Sequence, residues 1–576
     1  MSLIRCRSWL VFAPAVLLAL AACARLGRAP GASQPSSQAE PQSGRGVEYK
    51  SSSGAILRHL RTLASDQFGG RAPGTDGEKL SVDYIASQFR SMGLRSGAAD
   101  GSFAQAVPVV GITSRPRLEL ELAGQHAGKR LLAFPDDYVA LSRRSAAKVE
   151  LPRTEMLFVG YGIKAPEYGW DDFKGVDVRG KTLVMLVGDP PIPDPAEPGR
   201  LDPKMFGGEA MTYYGRWTYK YEQASQLGAA AVLIVHETGP AGYPYGVVRA
   251  WSREHFEISR DDGNRSHVAV EGWLSSESAR SLLTACGRDL DALKRSALSR
   301  DFAPVALSAT ATFSVENSLR SFASHNVIGV LDGTDPELKK EAIVYSAHWD
   351  HLGTETADAK GKVDTSDHIF NGAIDNASGV AELLEIARTW AAMSPRPRRS
   401  MLFLAPTCEE YGLLGARYYA EHPTVPLGRT LADINLDMMN VWGRARGIAN
   451  VAQGTSTLDE LFGAAATEMG RVVKGDPDPP KGYFYRADSF EFAKAGVPVL
   501  LFMRPGFDFI GRPPAFEREK AADFVAHDYH KPSDDVKADW DLGGAVEDVA
   551  LMVRVGQRLD GLAQLPSWKA GAGFSR

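Results

Sequence analysis

The chain has 576 residues, 44% hydrophobic and 23% charged, with a formal net charge of −5. That length exceeds one compact core and implies two domains or three, while the charge balance excludes the basic surface that nucleic-acid binding needs. Its four cysteines, Cys6, Cys23, Cys286 and Cys408, match no disulfide framework or thiolate metal site, so any metal must be held by His, Asp and Glu.

Residues 1–23 read as a leader. Arg5 and Arg7 precede an apolar run over 9–20 that is too short to span a bilayer. The ending Leu20-Ala21-Ala22-Cys23 resembles the lipobox of bacterial lipoproteins, which implies an acylated Cys23 and an exported protein anchored in the cell envelope, facing the periplasm or the cell surface. An ordinary secretory signal cut after Ala21 or Ala22 is the alternative, and it also exports the chain. Residues 24–48 are rich in Ser, Gly, Pro and Gln, the composition of a disordered linker.

The folded part begins at 49. Apolar spacing predicts two helices within 54–96, the first through Ile56, Leu57, Leu60 and Leu63, the second through Leu80, Tyr84, Ile85, Phe89 and Met92. Between them lies a turn-rich loop over 68–77. Its Arg71 reads as a structural ion pair, with a substrate clamp as the alternative. Alternation such as Leu118-Glu119-Leu120-Glu121-Leu122 predicts half-buried strands over 103–150. The segment 140–315 resembles the protease-associated domain, a β-rich lid module found inserted in exported peptidases; the resemblance implies a role in covering an active site and no catalytic residue. It divides a catalytic domain into 49–139 and 316–565, with 566–576 as a flexible tail.

From 324 onward apolar strand runs alternate with amphipathic helices. The strands are expected at 326–333, 342–347, 399–407, 432–437 and 497–502, and the helices at 378–390, 412–421, 457–468, 489–495 and 542–559. This pattern predicts an α/β fold, a mixed and mostly parallel sheet with helices on both faces, whose ligands gather beyond the carboxyl ends of the strands. His348, Glu409, Glu410 and Asp437 all lie at or just after such ends, and Asp375 lies just before a helix. Imidazole and carboxylate ligands suit zinc. Two zinc ions bring four positive charges, which Asp375, Glu410, Asp437 and a bridging hydroxide would cancel, and in such sites one carboxylate must span ions about 3.5–4 Å apart.

Five segments, His348-Trp349-Asp350, Asp375-Asn376-Ala377-Ser378-Gly379, Glu409-Glu410, Asn435-Leu436-Asp437-Met438 and Tyr529-His530, occur in the order found in the exported co-catalytic zinc peptidases, the family of secreted bacterial leucine-type aminopeptidases and glutamate carboxypeptidase. The resemblance spans about 50–135 and 320–560. It implies two Zn²⁺ per chain, with His348 and Asp437 on the first, Glu410 and His530 on the second, and Asp375 bridging. It implies Glu409 as general base, Tyr529 as hydrogen-bond donor to the oxyanion, and Asp350 as the acceptor of the other N–H of His348. His351, His368, His422 and His527 match no role and read as non-ligands, His351 being the one beside the site. The loop 354–368 reads as an edge of the substrate opening.

The expected activity is therefore that of an aminopeptidase, removing N-terminal residues from peptide substrates by attack of a bridging metal-hydroxide. A carboxypeptidase on the same scaffold is an alternative, with Arg417, Arg486 and Arg504 as candidate carboxylate anchors. So are a one-zinc glutaminyl cyclase-like acyltransferase and a non-catalytic peptide-binding protein. The membrane is expected to be met only through the N-terminal lipid anchor.

Overall fold

The structure, a computed structural model, describes residues 51–124, 127–197, 199–249, 253–354, 367–503 and 507–576. The leader with Cys23, the linker 24–48, Arg504 and most of the 354–368 loop lie outside the described residues.

One 14-stranded sheet runs through the molecule, and a single 27-residue strand, Val305–Leu331, is its spine. At its end this strand pairs antiparallel with Ser400–Ala405, and that strand starts a parallel layer in the spatial order Ser400–Ala405, Ala342–Ser346, Thr430–Leu436, Val499–Phe502. At its beginning it pairs antiparallel with Lys148–Phe158, which starts a second parallel layer through Thr182–Leu186, Ala231–Val235 and Val270–Leu274, closed by antiparallel Tyr138–Leu141. Along most of its length it also pairs with Ala104–Leu122, from Ala309 opposite Leu122 to Val327 opposite Ala104.

The first layer confirms the mostly parallel α/β expectation. Its strands are buried at every position because both faces are covered. Ile343, Tyr345, Met401 and Phe403 point into a core shared with helices Ser53–Leu63, Gly379–Ala392, Leu458–Glu468 and Gly543–Asp560; Ala342, Val344, Leu402 and Leu404 point to the opposite face, toward Leu414–Glu421 and Ser489–Lys494. This is the two-residue period of a strand. Each fully buried aliphatic side chain here contributes roughly 1.5–3 kcal/mol. Ser52 and Thr75 cap the first two helices through their hydroxyls. On the Ala104–Leu122 strand Leu118, Leu120 and Leu122 are buried and the glutamates between them are not, as the alternation requires.

Two parts of the sequence reading change. The segment 140–315 carries a parallel strand layer together with helices Trp217–Gln226, Ser276–Ala285 and Leu290–Ser296, so it is itself α/β in character, and the 315/316 boundary falls inside one continuous strand. The tail 566–576 is docked. Trp568 donates its indole N–H to the Gly496 carbonyl at 3.0 Å, Phe574 packs 5.6 Å from Phe484, and Arg576 donates to the Thr430 and Leu431 carbonyls at 2.8 Å. Two large aromatic rings in eleven residues bury too much apolar surface to leave the segment free. Helix Phe516–His527 has no counterpart in the sequence reading; its apolar residues form no clear stripe, and only Ala521 and Phe524 are buried.

Candidate metal centre

The carboxyl ends of three strands deliver side chains to one point. His348 follows Ala342–Ser346, Glu409 and Glu410 follow Ser400–Ala405, and Asp437 follows Thr430–Leu436. Asp375 arrives from the turn ahead of Gly379–Ala392. That turn is tied to the sheet by Asn376. Its amide N–H donates to the Leu436 carbonyl at 2.9 Å, and its oxygen accepts the N–H groups of Gly379 at 2.9 Å and Met438 at 3.2 Å. Thus Asn376 caps the helix, while Asp375 beside it is free to face the cluster. Gly372, at φ 55°, lets the chain enter the turn, since a Cβ there would stand 2.2 Å from the Asp375 carbonyl and 2.6 Å from the His351 ring. Glu409 and Glu410 precede the helix that starts at Leu414, so they are not first-turn helix charges.

His348 Nε2 stands 3.4 Å from Asp375 Oδ1, 3.5 Å from Asp437 Oδ1 and 3.9 Å from Glu409 Oε2. His530 Nε2 stands 3.2 Å from Asp375 Oδ2 and 3.1 Å from Glu410 Oε2. Asp375 therefore presents one oxygen to each histidine. Tyr529 stacks on His530 with ring centroids 3.9 Å apart. It is 37% exposed whereas His348 is 2% exposed, so the cluster opens toward solvent on the Tyr529–His530 side. Arg71, Cys408, Met438 and His530 around the cluster all hold left-handed φ of 50–55°, the kind of local strain that functional sites retain.

The electrostatics divide the acids. Burial would raise Glu410, but His530 and His351 beside it bring it down to about 2. Burial, opposed by His348 and reinforced by Glu410 and Asp437, pushes Glu409 well above the usual carboxylate range. Asp375 is held well below that range, the cost of burial being overcome by its contacts with His348 and His530.

Some residues take places the sequence did not predict. His351 is in the cluster: its Nδ1 lies 2.6 Å from Glu410 Oε1, and it groups with Asp375 and Glu410 as a possible metal-holding set, beside the set His348, Glu409 and Asp437. Its position three residues after His348 on the same strand end was the available signal. The Asp350 expectation is corrected. His348 Nδ1 faces the Asp350 main-chain carbonyl at 3.1 Å, while the Asp350 carboxylate is 3.9 Å away because its Oδ1 accepts the Glu409 N–H at 3.1 Å. Arg71 is neither an ion pair nor a clamp. Fully buried, it donates to four main-chain carbonyls, Trp349 at 2.9 Å, Leu63 at 2.8 Å, Asn371 at 2.6 Å and Gly372 at 2.9 Å, and so binds the His348 segment to the Asp375 turn. Asp534 accepts the N–H groups of Ile374 at 3.0 Å and Asp375 at 3.1 Å and holds the same turn from the other side. Of the candidate carboxylate anchors, Arg417 is committed to Glu257 and Glu491 at 3.5 and 3.7 Å, and Arg486 lies over the Tyr483 ring.

The donor set fits divalent metal. Asp350, Asp375, Glu409, Glu410 and Asp437 crowd around three histidines, and among the described residues none of the five pairs with Lys or Arg. His348 Nε2, His351 Nε2, Asp437 Oδ1 and Asp350 Oδ2 are buried with no hydrogen-bond partner. Buried polar atoms are ordinarily satisfied, and imidazole nitrogens with carboxylate oxygens are what zinc takes.

Residues 326–554 match the model of Peptidase family M28. The mouse protein named Aminopeptidase NAALADL1 is 32% identical over 162 residues, 27% of this chain and 18% of that one. The Probable zinc metalloprotease of Pyrenophora teres f. teres is 28% identical over 196 residues, 32% of this chain and 39% of that one. The chain thus spans well under half the length of these curated relatives. Among solved structures, an aminopeptidase from Aneurinibacillus sp. strain AM-1 aligns over 88% of this chain and 93% of its own at 18% identity, with a TM-score of 0.47. The matched segment 326–554 carries His348, Asp375, Glu409, Glu410, Asp437 and His530.

Proposed function

We propose that this protein is an exported di-zinc exopeptidase of the aminopeptidase type. The observation that carries the reading is the Asp375 carboxylate, one oxygen 3.4 Å from His348 and the other 3.2 Å from His530, the arrangement of a bridging ligand between two metal pockets. His348 and Asp437 would hold one zinc, Glu410 and His530 the other, with Asp375 shared. Bound there, zinc would acidify a water and polarise the scissile carbonyl.

Glu409, raised by burial and paired with no Lys or Arg among the described residues, takes the proton of the attacking water and delivers it to the leaving amine. Tyr529, on the open side, donates its hydroxyl to the developing oxyanion. Asp350 holds the Glu409 main chain, and Arg71 and Asp534 hold the two ligand segments in register. The relatives' names as aminopeptidase and zinc metalloprotease support the reading. The lipobox at Cys23 supports export and envelope anchoring, and among the described residues no helix is long and apolar enough to cross a membrane.

The test is a panel of peptides assayed with the zinc-loaded chain. Peptides with a free amino terminus should be cleaved from that end and their N-acetylated counterparts left intact. Cleavage of N-acetylated peptides from the carboxyl end would replace this reading with the carboxypeptidase one.

A further inference from the structure

A cavity of about 760 Å³ lies among helices Ser53–Leu63, Asp76–Ser91 and Gly379–Ala392. It is set away from the metal cluster: Arg388 on its wall stands ~14 Å along the axis of the helix that starts at Gly379, next to the Asp375 turn. Its charged lining consists of the guanidinium groups of Arg58, Arg61 and Arg388 against one carboxylate, Glu385. That carboxylate is already committed. Buried, it accepts Arg388 Nε at 3.0 Å, Arg388 Nη2 at 2.9 Å and the Ser51 hydroxyl at 2.7 Å. His59 stands beside it, with Nδ1 2.7 Å from the Tyr84 hydroxyl and Nε2 3.9 Å from Glu385 Oε1. Burial, opposed by Glu385, holds His59 below its usual value, so the ring adds no charge at neutral pH.

Arg58 and Arg61 are both exposed, and neither pairs with a carboxylate among the described residues. A cation in the last turn of a helix is favoured by the helix dipole, which accounts for Arg61. It does not account for Arg58 one turn earlier, nor for Arg388 on another helix facing the same space. Like charges three residues apart on a helix repel, and a third at the same cavity adds to the cost. An anion among them turns that repulsion into attraction. Phosphate suits the set better than carboxylate does. A single guanidinium fork satisfies a carboxylate, whereas phosphate presents oxygens in several directions and takes paired hydrogen bonds from more than one fork. The volume is that of a small-molecule site rather than of a bare ion, and Met92 and Ala391 give it an apolar wall for whatever group carries the phosphate.

We propose that this cavity binds an organic phosphate, either a soluble phosphate ester or the headgroup of an anionic lipid. Arg58 and Arg61 supply the free forks, and Arg388, held by Glu385, adds the third charge. The Ser51 hydroxyl bond to Glu385 means that the chain enters its folded part beside the cavity. A headgroup bound there would therefore be gripped where the linker from Cys23 joins the fold, and the metal cluster, at the other end of helix Gly379–Ala392, would stay free for substrate. The inference does not depend on the peptidase reading.

The experiment uses the zinc-loaded full chain and its double variant Arg58→Gln/Arg61→Gln. Each is titrated calorimetrically with glycerol 3-phosphate and co-sedimented with vesicles of phosphatidylglycerol and of phosphatidylcholine. Comparing the two lipids cancels any attachment through the N-terminal segment. The variant should bind the phosphate probe ~30-fold more weakly than wild type, the loss of two charge-assisted contacts, and only wild type should melt higher in its presence. Without ligand the two should melt alike, because both side chains are exposed. A wild-type preference for phosphatidylglycerol that the variant loses assigns a lipid headgroup. A variant-sensitive affinity for glycerol 3-phosphate without that preference assigns a soluble phosphate ester. Equal behaviour of wild type and variant toward both probes, as phosphate held at the metal cluster would give, or no binding of either probe, would overturn the inference.

Discussion

The molecule contains two parallel strand layers joined by one strand, and among the described residues only one of them leaves its strand ends unsatisfied. In the inserted layer, Asp189 follows Thr182–Leu186 and accepts both the N–H and the hydroxyl of Thr212 at 2.7 Å. His236 and Glu237 follow Ala231–Val235; His236 meets the Tyr243 carbonyl at 3.1 Å and Glu237 pairs with Lys294 at 2.6 Å. In the catalytic layer the corresponding positions hold His348, Glu409, Glu410 and Asp437, and His348 Nε2 and Asp437 Oδ1 remain buried without partners. The topology is shared, so topology does not mark the site. What marks it is charge brought together at strand ends and left for something else to satisfy.

Substitutions at equivalent strand ends should break that symmetry. The largest effect is expected from Glu409→Gln, which should lower kcat by ~10³-fold, within the range for a lost general base, while retaining bound metal. Asp189→Asn should leave kcat within ~2-fold and lower only the melting temperature. Steady-state kinetics with differential scanning fluorimetry on both variants makes the contrast. Tyr529→Phe should cost ~10²-fold in kcat, the loss of one oxyanion donor, with little change in metal content.

A smaller effect is expected from Arg71→Lys. A single ammonium cannot reach four carbonyls on three segments, so the His348 and Asp375 segments lose their common tie. Zinc affinity should fall ~10–100-fold, as for other groups that orient ligands, read by competition with a chelating dye. The mildest test uses Asp433, buried beneath the cluster with the Ser346 hydroxyl donating to it at 2.7 Å. Burial, only partly offset by that hydrogen bond, pushes it up from 3.8 to about 8. The folded chain therefore binds more protons than the unfolded one between these values, so this group's stabilisation is present below pH 3.8 and lost as pH rises to about 8. The melting temperature of Asp433→Asn minus that of wild type should grow from pH 5 to pH 8, and a flat difference would remove Asp433 from the account.

The strands and helices of the catalytic layer were legible because burial on both faces writes continuous apolar runs and regular helical stripes. His348, Glu409, Glu410 and Asp437 were legible because each sits where such a run stops, whereas Asp375 and His530 stood out only through the order of the matching segments. Arg71 and Asp534 were not legible. Both bind main-chain groups, which leave no trace in residue type, and the cavity of Arg58, Arg61 and Arg388 depends on helices distant in the chain meeting. The 315/316 boundary misled because the strand Val305–Leu331 runs through it without a break. Trp568 and Phe574 signalled burial in the tail, but their partners, Gly496 and Phe484, lie in segments that sequence spacing does not connect to it.

The central claim is that Asp375 joins two metal pockets, and metal content measured alongside turnover tests it most directly. Elemental analysis of the wild-type chain should find two zinc ions per chain with aminopeptidase activity, Glu409→Gln should keep both ions without turnover, and Asp375→Asn should lose at least one ion together with turnover. A wild-type chain that saturates with a single ion while fully active, or an Asp375→Asn variant that keeps two ions and full activity, would contradict it.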